Sequence, residues 1–248
     1  MNQMPTTKAM FGYDVIGSSA NDDDKLDEVR AYAAKYVTEA LDLAKVEVND
    51  RTNYSPTGDG ALACYPETSL PQLIDATYHL DGKLHGHNRR YLPPVRLRVS
   101  IHTGPVRISD EETFQRRTIE LARGLDASTF KEIVRRMDRF APSTVAVILS
   151  DQAYRVAVLG GYTERLRSHN FGDVEIANKE FNERCWVHVP GIDRERVREL
   201  SHPDPVIDKP TGARPTPPST PGYFQGNSVG GDNSGSMVAR FGESDRRP

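Results

Sequence analysis

Residues 95–106, VRLRVSIHTGPV, set Val95, Leu97, Val99 and Ile101 at every second position, with Arg96 and Arg98 between them. Period two over this length marks a half-buried strand and excludes an amphipathic helix. A strand of this kind must pair with others, and the chain offers partners at intervals. Residues 9–16, the run ALACY at 61–65 and TVAVILS at 144–150 are apolar and of strand length, and DVEIANKEFNERCWVHV at 173–189 reads as a closing hairpin. Between them lie stretches of helical period, at about 25–44, 70–87, 112–122 and 128–139. In the first, Leu26, Val29, Ala33, Val37, Ala40, Leu41 and Ala44 form one stripe, and Asp22 to Asp24 read as first-turn acids facing the helix dipole. Strands separated by helices, with hairpins interspersed, imply an α/β or α+β domain with a mixed sheet and helices covering one face.

Bulk properties narrow the function. A formal charge of −3 with 27% charged residues leaves no basic footprint for nucleic acid and no polybasic patch for a membrane. No apolar run approaches the roughly 20 residues that span a bilayer. The start, MNQMPTTKAM, lacks the apolar core of a signal peptide. A cytoplasmic location is expected. Cys64 and Cys185 lie far apart without metal-ligand spacing and read as reduced core thiols. The folded domain is expected over residues 5–200. From about residue 204 the chain is dense in Pro, Gly, Ser and Thr without apolar period, and it reads as a disordered tail over 204–248.

MFGYDVIGSS, residues 10–19, sets Asp14 at the end of an apolar strand. A buried carboxylate without a partner costs several kcal/mol, so Asp14 needs either a turn to cap or a countercharge. The turn TGDGAL carries a second carboxylate, Asp59, between two glycines. If the strands are neighbours, both acids open onto one end of the sheet, where each raises the pKa of the other unless a cation lies between. Hard oxygen ligands beside a tight turn suit Mg²⁺ or Mn²⁺ carrying a phosphate, although GDG also serves many plain hairpins. The HGHN run at 85–88 is better explained as a helix end than as a metal site, and His102 reads as structural.

FGYDVIGSS, TGDGALACYP, RLRVSIHTGPV and TIELARGLDAS together resemble, in order, four motifs of class III nucleotidyl cyclases. The resemblance implies a ferredoxin-like α+β catalytic domain. It implies that Asp14 and Asp59, with the Val15 carbonyl, hold two Mn²⁺ or Mg²⁺ ions per site on a ribonucleoside triphosphate. It implies a homodimer with sites between subunits, in which Arg123 of one chain stabilises charge on the phosphorus held by the other. Phe11, Tyr54, Ser55 and Glu112 fall at the nucleotide.

Two positions depart from the family pattern. Ile119 stands where the family has a catalytic Asn, and Ser55, preceded by Tyr54, stands where adenylyl cyclases have a base-selecting Lys. In this the chain resembles the pyrimidine cyclases of anti-phage Pycsar systems, which make cyclic UMP or cyclic CMP that acts on an effector protein. A purine cyclase and a catalytically weak cyclase-like scaffold are the alternatives.

Overall fold

The computed structural model describes residues 4–17, 23–106, 116–137, 143–178 and 181–202. The tail expected from residue 204, and Glu112, lie outside them. One sheet of seven strands organises the described residues: β1 (Thr6–Val15), β2 (Thr52–Pro56), β3 (Gly60–Pro66), β4 (Leu97–Val106), β5 (Val145–Ser150), β6 (Gly172–Asn178) and β7 (Phe181–His188), in the order β2-β3-β1-β4-β5-β7-β6. β4 and β5 run parallel and every other pair is antiparallel. The helices are α1 (Asp23–Leu43), α2 (Leu70–Asn88), α3 (Arg116–Asp126), α4 (Ser128–Met137), α5 (Asp151–Ala153, continuing as a π-turn over Tyr154–Leu159) and α6 (Arg194–Ser201). This is the mixed α+β sheet expected from the sequence. Among the described residues no helix is long and apolar enough to cross a membrane.

The helices lie on both faces of the sheet rather than one. Phe11, Tyr13 and Val15 of β1, with Leu97, Val99 and Ile101 of β4, pack against α1, α2 and the π-turn. The opposite face carries Met10, Leu62 and Cys64 under Leu121 and Leu125 of α3, and Ala146, Ile148, Ile176 and Val187 under α4 and α6. The second layer forms because the strands are apolar on both faces over most of their length. β4 is accordingly not half-buried: Val99 to Gly104 are all buried, and the face that carries Ser100 and His102 lies beneath α3 instead of water.

The stretch that leads into the TGDGAL turn forms the exposed edge strand β2 (Thr52–Pro56). Its bulge between Thr52 and Ser55 holds Asn53 at φ 50. HGHN does end α2, where both Asn88 side-chain groups bond the Val95 backbone (2.9 and 2.8 Å) and the Tyr36 hydroxyl lies 3.0 Å from His87 Nδ1. Cys64 and Cys185 are free and buried, and burial pushes their thiols up to about 11 and about 12.

β1 and β3 lie in close contact where the turn ends. A Cβ on Gly60 would lie 1.8 Å from the Tyr13 carbonyl oxygen, whereas Gly58, at φ +89, faces open space. Gly60→Ala should therefore cost about 3 kcal/mol or more through forced strand separation. Gly58→Ala should cost only the roughly 1–2 kcal/mol of its left-handed backbone. Urea unfolding of the two variants checks this, and equal losses would contradict the close approach.

Candidate active site

The register of β1 builds the site. Asp14 faces Gly60 across the β3 side and Arg98 across the β4 side. Strand alternation puts its side chain on the face of Gly12, beneath α3 and α4, opposite to Tyr13. There the Arg98 guanidinium grips it with both arms: Nε donates to Oδ1 (2.9 Å) and Nη2 to Oδ2 (2.7 Å). The side chains are only 13% and 14% exposed. The countercharge to the Asp14 carboxylate within this chain is thus Arg98. The sequence carried a signal for it, since an arginine near the start of a central strand, between apolar neighbours, has to find an acid.

Asp59 sits alongside. The Val15 N–H donates to the Asp59 carbonyl oxygen (3.2 Å), which ties the glycine turn to the strand end and brings the Val15 backbone next to Asp59. The electrostatics of Asp14 register all of these neighbours. Burial pushes its pKa up to about 6, Arg98 pulls it down, Asp59 pushes it up and Lys131 of α4 pulls it down. Holding Asp14 ionised at neutral pH therefore costs on the order of 3 kcal/mol, even with Arg98 in place. A further cation would relieve that cost.

The donor set fits a hard divalent ion. It offers two carboxylates and a neighbouring backbone carbonyl, and each Asp14 oxygen keeps a lone pair beyond its bond to Arg98. Among the described residues no group of three or more His, Cys, Asp or Glu side chains could hold a metal. An ion at Asp14 and Asp59 would need oxygen ligands from water or phosphate to complete its shell, which is how Mg²⁺ is commonly bound.

The remaining site residues divide between the two faces. Ser55 pairs with Leu62, whose side chain packs under α3, so Ser55 shares the face of Asp14. Tyr54, 43% exposed, lies under the Arg51 guanidinium (3.9 Å to the ring centroid). With Phe11 it lines a void of about 40 Å³ against α1, on the far side of the sheet. Phe11 itself is buried in the core there, so the structure does not bring its ring, or that of Tyr54, to the carboxylates. Arg123 is partly exposed on α3, and the cations acting most strongly on Asp14 in its own chain are Arg98 and Lys131. Ile119 is 38% exposed on the same helix. His102, read as structural, is buried against Glu120 of α3.

Neither a protein-family model nor a curated protein sequence matches the chain. Solved structures do match. The adenylate/guanylate cyclase/hydrolase of Silicibacter pomeroyi aligns with a TM-score of 0.52 at 16% identity, over 75% of this chain and 98% of its own. The guanylyl cyclase Cya2 aligns at 0.52 and 12% identity, over 76% and 93%. The guanylate cyclase domain of RhGC from Catenaria anguillulae, solved with GTP, aligns at 0.50 and 8% identity, over 75% and 97%. At such identities the likeness is one of fold: the described domain has the fold of class III nucleotidyl cyclase catalytic domains.

The charge arrangement around Asp14 can be titrated. In the metal-free protein its carboxyl carbon should titrate by NMR near pH 6, against 3.8 for an ordinary aspartate. Arg98→Gln should move that midpoint up, and Asp59→Asn should move it down. Because the folded pKa is the higher one, the contribution of Asp14 to stability falls as pH rises from about 4 to about 6 and stays low above that. A midpoint at or below 4 would refute the burial described.

Proposed function

We propose that this protein is a nucleotidyl cyclase that converts a ribonucleoside triphosphate into its 3′,5′-cyclic monophosphate and pyrophosphate. The observation that carries this reading is the adjacency of Asp14 and Asp59 at the end of the β1–β3 pair, within a cyclase fold. Two Mn²⁺ or Mg²⁺ ions held by Asp14, Asp59 and the Val15 carbonyl would supply Lewis acidity toward the ribose 3′-hydroxyl and the triphosphate. Arg98 keeps Asp14 ionised and aimed, so that the carboxylate is already oriented when the nucleotide arrives. Arg123 of a second copy stabilises the charge that develops on the transferred phosphorus. The active assembly in this reading is a homodimer.

For the base we favour a pyrimidine, UTP or CTP. Ser55, on the carboxylate face, is a short neutral group with one donor and two acceptor lone pairs, where a lysine would present a fixed positive donor. The cyclic product would act on a separate effector protein, in the manner of anti-phage signalling. A purine substrate is the second reading, and it draws on the GTP bound to the Catenaria anguillulae domain. A weakly catalytic scaffold is the third. It draws on the Arg98 pairing, which already satisfies Asp14, and on exposed Ile119 in place of a polar side chain.

Purified protein incubated with each of the four ribonucleoside triphosphates and Mn²⁺, with products resolved by mass, separates the three. Cyclic UMP or cyclic CMP is expected; a cyclic purine nucleotide would move the reading to the second, and no product to the third. Asp14→Asn and Asp59→Asn should each abolish turnover while leaving the circular dichroism spectrum unchanged, because either change removes one of the two metal carboxylates. Near-normal turnover in either variant would rule out the two-metal site.

Shared sites predict complementation. In a mixed dimer of Asp59→Asn and Arg123→Ala chains both lesions fall in one site and the other site is whole. With random exchange, activity should recover to at most about a quarter of the unmodified level. No recovery despite demonstrated subunit exchange would assign Arg123 to its own chain or to no catalytic task.

A further inference from the structure

α3 is fastened to β4 at two points. His102 pairs with Met10 across the β1–β4 ladder and shares its face, so its ring lies under α3. Its Nε2 stands 3.4 Å from Glu120 Oε2, with the two side chains 5% and 7% exposed. One helical turn on, a Cβ at Gly124 would fall 2.8 Å from Ser100 Oγ, so the helix backbone itself lies against the strand there. Four residues of helix rise about 6 Å, and two residues of strand about 6.8 Å. The spacing of Glu120 and Gly124 therefore matches that of His102 and Ser100. The order also sets direction: from Glu120 to Gly124 the helix runs from His102 back toward Ser100, that is, toward the end of β4 where Arg98 holds Asp14.

We propose that Glu120 is a positioning residue for Arg123, acting through His102. The inference rests on the cyclase reading above. Around the pair the contact is built from Met10, Leu62, Cys64, Leu121 and Leu125. Apolar packing is non-directional and leaves the rotation of a short helix weakly determined. A buried carboxylate 3.4 Å from an imidazole is a single fixed point of approach, electrostatic in character and attractive when the ring is protonated, and it limits that rotation. Arg123 is three residues from Glu120 and adjacent to Gly124, at the partly exposed rim of the buried stripe. Its Cα is thereby set by both fastening points, and so is the direction in which its side chain leaves the helix. The void lined by Ser100, His102, Glu120, Gly124, Ser150 and Cys185 measures about 10 Å³. That is room for one water at most and none for a nucleotide, so the pair acts through the helix rather than on substrate.

Glu120→Gln keeps the size of the side chain and removes its charge; His102→Gln removes the other partner. Each should lower kcat about tenfold to a hundredfold, the scale of a misplaced catalytic group, with KM for the nucleotide changed less than about twofold. Hydrogen exchange of amides 119–126 should accelerate about tenfold, while those of α1 and α2 stay as they were. In an Arg123→Ala background, adding Glu120→Gln should cost nothing more in kcat, because the residue being positioned is gone. Unchanged exchange in α3, or an equal kcat loss in both backgrounds, would overturn the proposal. Absence of turnover in the unmodified protein would sink the cyclase reading and not the clamp, which the exchange rates judge alone.

Discussion

The structure depends on a carboxylate in a central strand being met by a guanidinium across the ladder. β1 lies between β3 and β4, so Asp14 has sheet on both sides and helices above it. Removing the Arg98 guanidinium from such a pair leaves the buried carboxylate uncompensated and costs about 3–5 kcal/mol. The register that puts Arg98 opposite Asp14 also puts Gly60 opposite it on the other side, where only a glycine fits beside Tyr13. A slip of one residue would turn Asp14 into the core against α1 and bring Phe11 and Tyr13 out beneath α3. Fold and site are thus specified by one alignment of strands, and neither can shift without the other.

What could be read in advance follows the same physics. Long periodic elements were legible: β1, β4, β5, the β6–β7 hairpin, α1 and α2 fall close to where apolar spacing puts them. β2 was not, because TNYSP is polar and exposed on an edge, with a proline at its end. α6 was not, because Val197 and Leu200 are its only buried residues among charged ones. The second helical layer was hidden by Arg96 and Arg98, which make β4 read as facing water. Arg98 instead spends its charge on Asp14.

The site shows the same limit. Asp14 and Asp59 stood out because an acid beside an apolar run and an acid between glycines are both costly choices. Pairings made across the fold leave no local trace. Glu120 reads as an ordinary solvated residue on a charged helix until α3 is laid over His102. The division of Tyr54 from Ser55 has a similar origin: neighbouring residues of a strand point to opposite faces, and the bulge before Ser55 settles which.

The two-faced sheet has a consequence for how such a protein can change over generations. Near the end of β1 the odd-numbered side chains, Tyr13 and Val15, belong to the interior shared with α1, and the even-numbered Asp14 belongs to the opposite face, with Arg98. A backbone layer one residue thick stands between them. Groups beside Asp14 can therefore be exchanged while the packing against α1 stays in place, and that packing can drift without retuning the charges across the wall. The partition makes charge and packing separately evolvable within a single strand.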